Sequence, residues 1–162
     1  MRLRVLLSFL LFSFCWMTGK VQAQSFDRTA YYRALSSTDV SDVNDELEVV
    51  KGAKVSEKEA YEGTLLMKKA GLVSKPADKL SNFKSGKIKL ETEISKDTSN
   101  AEYRFLRLII QEHAPKIVKY SSDLDKDRKF IRSAFAGLPA ALQQAIIDYS
   151  KNSRILHPDD FN

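Results

Sequence analysis

Cysteine occurs once in this chain, at Cys15, and none comes after it. Residues 24–162 therefore offer no disulfide, no thiolate nucleophile and no sulfur ligand for zinc, and apolar burial has to supply their stability. Histidine is nearly as scarce. His113 and His157 lie far apart in sequence, and neither belongs to a two-histidine helical zinc motif. With 4 prolines and 6 glycines, the chain contains no glycine-rich phosphate loop and no Gly-x-Ser-x-Gly elbow. No window after residue 24 alternates apolar and polar residues at period two, which argues against strands.

Charge of one sign is lacking too. The formal net charge of +5 includes Arg2, Arg4 and Lys20, the only charged residues among the first 23. The remainder sets 23 basic against 21 acidic side chains, a formal +2, with Lys and Glu interspersed. That leaves no electrostatic footprint for nucleic acid, and none is expected as a partner.

The one sustained apolar run, Val5 to Met17, comes after Arg2 and Arg4 and precedes Val21-Gln22-Ala23, where small residues stand at the positions signal peptidase reads. This predicts a signal peptide over 1–23, cleavage between Ala23 and Gln24, and export to the periplasm or the cell exterior. An uncleaved anchor would need about 20 apolar residues, and an acylated Cys15 would need a small residue where Phe14 stands. Contact with the membrane is thus expected only through the signal peptide before cleavage. Residues 24–162 are the size of one domain. It is expected over 24–151, with a loose tail over 152–162 that has no periodic pattern.

The pattern of that domain predicts an all-α fold. A first helix is expected around Phe26 to Leu35. Thr38-Asp39 then caps the stripe Val40, Val43, Leu47 and Val50, closed by Gly52. Ser56 to Glu59 reads as a capping box ahead of Ala60, Tyr61, Thr64, Leu65 and Met67, with Gly71-Leu72 as the C-terminal cap. Ser74 to Pro76 opens a helix with the stripe Leu80, Phe83, Lys87, Leu90 and Ile94, in which Lys87 snorkels. A second capping box, Ser99 to Glu102, starts the most hydrophobic helix, which Pro115 ends near His113. Ser121-Ser122-Asp123 caps a helix carrying Leu124, Ile131, Ala134 and Phe135 that stops at Gly137. Leu138-Pro139 starts the last, with Leu142, Ala145, Ile146 and Tyr149 inward. Six or seven short helices packed as antiparallel hairpins result, closing as a bundle or stacking as a short tetratricopeptide-like array. Gly63 after Ala60-Tyr61 suits such a repeat, but no second copy is in register.

Several chemistries are tested by spacing and fail. Asp123-Leu124-Asp125-Lys126-Asp127 imitates the start of an EF-hand loop, yet Arg128 replaces the turn glycine and Ala134 the bidentate glutamate, leaving an acidic first helical turn. Ser81 to Lys84 has serine-to-lysine spacing without the further elements of penicillin-recognising enzymes. One constellation stands out on the most hydrophobic helix. Its polar stripe is Arg104, Arg107 and Gln111, three donors on one face, suited to an acidic ligand or partner. They are equally suited to pairing with Glu102, Glu112 or carboxylates of a neighbouring helix. Being apolar on most of its circumference, that helix belongs at the centre, where Ile109→Asp should unfold the protein.

The stretch Glu102 to Glu112, with Ala114-Pro115, Lys119-Tyr120 and Leu142 to Ser150 beyond it, resembles small exported proteins of Bacteroidota. The resemblance covers the C-terminal part only and implies a Gram-negative envelope setting, with no activity and no catalytic residue. No nucleophile with its base, cofactor motif or metal set is recognised, so catalysis is not expected and no cofactor is assigned. The expected function is a non-enzymatic module of the cell envelope that binds a protein or peptide in a groove between helices. The alternatives are a carrier of a small apolar or amphipathic ligand, drawing on Tyr61, Phe83, Tyr103, Phe105, Phe130, Phe135 and Tyr149, and an enzyme of unrecognised class. An open groove or exposed apolar patch marks the first, an enclosed apolar cavity the second, and clustered polar residues with shifted pKa values the third.

Overall fold

The computed structural model describes residues 26–161, and within them the chain is all α, with seven helices and no strand. The signal-peptide reading falls on residues outside that range. No helix among the described residues is long and apolar enough to cross a membrane.

Short polar side chains cap three of the seven helix starts, though not always those the motifs suggest. Asp27 caps α1 (Arg28–Ser36) by accepting from the amides of Thr29 and Ala30, and Asp39 caps α2 (Val40–Gly52) through the amide of Ser41. Helix α3 (Lys58–Leu72) lacks the expected capping box. Ser56 Oγ donates to Glu57, Glu57 is drawn to Arg28 at 2.8 Å, and Glu59 is drawn to Lys89. Ion pairing with helices across the fold takes precedence there over local capping. Gly71 is no left-handed cap either, since no glycine among the described residues has positive φ and the helix simply ends at Leu72. Pro76 occupies the first turn of α4 (Pro76–Lys96), where its missing N–H costs nothing. For α5 (Ala101–His113) the cap is Asn100, accepting from Tyr103 N, rather than Ser99. Helices α6 (Leu124–Ala134) and α7 (Ala140–Ser150) complete the set.

Helix α5 is the axis of the fold. Every residue from Ala101 to Glu112 except Ile109 is buried, and it packs against α3, α4 and α6. The closest pairing is α3 against α4. A Cβ built at Gly63 would lie 2.7 Å from the carbonyl oxygen of Gly86, and the reciprocal Cβ on Gly86 collides with the carbonyl of Gly63. Two glycines in helix interiors each cost about 1 kcal/mol relative to alanine. Here they let two backbones touch, so Gly63 serves a helix crossing and not a repeat signature. Helix α1 meets α2 and α3 and also touches α7, which closes the first helix onto the last. An open array, in which each unit meets only its neighbours, does not do this. The closed bundle is the architecture found.

The expectation of a loose tail over 152–162 is corrected. Leu156 is fully buried in the core, Ser153 Oγ and the amide of Arg154 donate to Glu112 at 2.6 Å each, and Asp160 accepts from Arg128. Leu156, with Ile155 and Phe161 packed beside the core, and two carboxylate clasps hold a segment that has no helical periodicity to announce it.

Candidate functional site

Arg104, Arg107 and Gln111 are brought together as the i, i+3, i+7 spacing requires, but on an internal face. Arg107 grips Asp127 with two parallel bonds, Nε to Oδ2 at 2.7 Å and Nη2 to Oδ1 at 2.8 Å, and reaches Glu91 at 3.0 Å. Arg104 donates to Asp127 Oδ1 at 3.0 Å and twice to the carbonyl of Thr98, with its guanidinium 4.3 Å from the centre of the Phe130 ring. Gln111 exchanges bonds with the side chain and amide of Asp123. Burial opposes the Arg107 charge, but Asp127, Glu91 and Asp123 outweigh it and raise the pKa. Burial likewise opposes the Asp123 charge, and bonds from Ser122 and Gln111 together with Arg107 lower its pKa.

Of the two readings of this donor set, the acidic ligand or partner gives way to pairing with carboxylates of neighbouring helices: all three residues are at most 6 % exposed, and their acidic partners are Glu91 of α4 and Asp123 and Asp127 at α6, not an external acid. Nor are the partners Glu102 and Glu112. Glu102 Oε1 accepts from the hydroxyls of Tyr32 and Tyr61, 2.8 Å each, and Glu112 accepts from Tyr149 and the tail. The EF-hand imitation dissolves in the same way, because Asp127 lies between two arginines and Asp123 is bound by Gln111.

A surface groove lies elsewhere. A groove of about 1120 Å³, partly open to solvent, runs between α1, the C-terminal half of α3, the N-terminal half of α4, α5 and α7. Phe105, Ile109 and Ile110 of α5 form its floor. Tyr32 and Leu35, Met67 and Leu72, Phe83, and Ala145 and Tyr149 form its walls. Tyr32 and Tyr149 turn their hydroxyls inward to Glu102 and Glu112, so they show the groove only ring surface. Burial, more than these bonds, pushes both phenol pKa values up. Leu80 and Ile117 stand on the rim at 54 % and 88 % exposure. The helical stripe that placed Leu80 in the core is thus half right: Leu90 and Ile94 are buried, while the N-terminal half of α4 projects past the bundle as a groove wall.

The groove's charged lining is mostly basic. Arg33 of α1, Lys68 of α3 and Lys79 of α4 all line it. Lys68 is partly buried, and burial alone lowers its pKa. The lining carboxylate, Asp148, is bound by Lys151 and Gln144, and His113 Nδ1 lies 3.0 Å from the carbonyl of Ile109 and 3.4 Å from Tyr149 Oη. Among the described residues no three His, Cys, Asp or Glu side chains are grouped to hold a metal ion.

No protein-family model, no curated protein and no solved structure matches this chain. The groove was beyond sequence reasoning because its lining comes from five helices. Phe83, Phe105 and Tyr149, three of the aromatics a carrier would draw on, are the part of it that composition did signal.

Proposed function

We propose that this is an exported, non-enzymatic protein of the cell envelope whose groove receives the apolar face of a helix from a protein or peptide partner. The observation that carries this reading is an apolar channel open along one side, with Leu80 and Ile117 standing unburied at its rim. Small-ligand sites enclose most of their ligand's surface, whereas large side chains left in water beside an apolar channel suit a partner broad enough to cover them. A helix laid in such a groove inserts side chains at i, i+3 or i+4 and i+7. Each large side chain so buried contributes about 1.5–3 kcal/mol before the cost of association is subtracted. The envelope setting draws on the leader pattern of Arg2 to Ala23 and on the resemblance of Glu102 to Ser150 to exported proteins of Bacteroidota.

The carrier reading keeps one observation in its favour, the lone half-buried ammonium of Lys68, which could hold an anionic headgroup over an apolar chain. Photo-crosslinking in the native cell separates the two. A photoreactive phenylalanine at position 80 or 117 should yield a protein adduct, while the same group at Val49, exposed but outside the groove, should not. Equal protein adducts at all three positions, or lipid adducts alone at 80 and 117, would contradict the reading.

A further inference from the structure

We infer that the groove's partner is an acidic amphipathic helix, whose apolar face fills the channel while carboxylates beside that face meet Arg33, Lys68 and Lys79. The inference rests on the helix-in-groove reading and adds the partner's charge. Elsewhere in the fold, several basic side chains at helix contacts are answered from within the chain: Lys89 by Glu59 and Glu62, Arg107 by Asp127 and Glu91, Arg128 by Asp160. The three lining the groove come from three different helices, and none forms an ion pair with a carboxylate among the described residues. Lys68 is the informative one. It is partly buried against the apolar wall with no counter-charge, and an ammonium in that position is destabilised until an anion reaches it.

The groove's lining carboxylate, Asp148, does not cancel this field, because it already accepts from Lys151 at 2.6 Å. A helix entering the groove therefore meets net positive charge, which favours Glu or Asp beside its apolar face and disfavours a basic helix by like-charge repulsion. A second copy of this chain is a poorer fit, since the large apolar side chains of α5 and α7, Phe105, Leu108, Leu142 and Ile146, are buried in its own core.

The test uses fluorescence anisotropy of three labelled peptides of about 15 residues, long enough to reach helical form when bound. They share one Leu/Phe face and carry Glu, Gln or Lys on both flanks, and the protein is the exported chain recovered after expression with its own leader. The expected affinity order is Glu, then Gln, then Lys, with a Glu-to-Lys ratio of at least about tenfold at low salt that shrinks as salt is added. Lys68→Gln should weaken the Glu peptide about fivefold, leave the Gln peptide unchanged and lose nothing in thermal stability, and Lys68→Arg should restore the preference. Equal binding of all three peptides would overturn the charge inference while leaving the groove reading in place. Loss of the Gln peptide in Lys68→Gln would also overturn it, by giving Lys68 a structural role. No peptide binding, with laurate bound instead or a dimer occupying the groove, would overturn both.

Discussion

Arg107 holds both carboxylate oxygens of Asp127, at 2.7 and 2.8 Å, and the Asp127 side chain has no exposed surface. Two arginines of α5 thereby converge on one acid of α6. An ion pair so buried gains little over a well-packed apolar pair, but breaking it leaves a charge without a partner in a dry site. Asp127→Asn is expected to cost about 3–5 kcal/mol in urea unfolding. Glu91→Gln, on a side chain 32 % exposed, should cost under about 1 kcal/mol. Similar losses in the two variants would mean that the cluster is not organised around Asp127.

The glycine crossing makes a prediction opposite to helix propensity. Gly63→Ala and Gly86→Ala each place a methyl group against the facing backbone, which cannot yield as a flexible side chain could. Each should lower stability by about 1–3 kcal/mol or more despite the better helix former. Gly52→Ala and Gly71→Ala meet no atom within 4 Å and have negative φ, so each should gain about 0.4–1 kcal/mol. Thermal midpoints of the four variants check both signs.

Ile109 is the wrong residue with which to test whether α5 is central, because it is only partly buried and lines the groove. Leu108, with no exposed surface, is the right one. Leu108→Asp should abolish folding as seen by circular dichroism. Ile109→Asp should fold and lose groove binding, a separation that no uniformly buried helix would give.

The tail clasp is acid-sensitive. Burial opposes the Glu112 charge, but bonds from Ser153, the Arg154 amide and Tyr149 outweigh it and hold its pKa below the usual carboxylate range. Asp160 is held low in the same sense, against burial, by Arg128 and the His157 amide. A carboxylate whose folded pKa is depressed adds stability above its unfolded value, about 4, and loses that stability as pH falls through the folded value. The Leu156 methyl resonances should therefore keep their buried shifts from neutral pH down to about 4 and collapse toward random-coil positions below it, ahead of the core. A tail that melts together with the core would contradict this.

What could be read from the chain divides along physical lines. Helix positions and the centrality of α5 come from periodicity, which is local, and they survive in the structure. Caps were legible only where no stronger partner competed: Asp39 caps as expected, whereas Glu57 and Glu59 leave their box for Arg28 and Lys89 across the fold. The fate of Arg104 and Arg107 was legible as a choice between an internal acid and an external one, but the internal acid, Asp127, sits on a different helix, and only the packing of α6 on α5 names it. The groove was illegible for a related reason. Leu80 and Leu90 look alike in the stripe of α4, and what separates them is that the bundle ends between them.

The most direct test of the central claim is a backbone and methyl NMR titration of the protein with the Glu-flanked peptide. Shift changes should concentrate on Tyr32, Met67, Phe83, Phe105, Ile110 and Tyr149 and spare Val49 and Ile131, which lie outside the groove. Changes centred on α2 or α6, or none at saturating peptide, would contradict the assignment of the groove as the binding site.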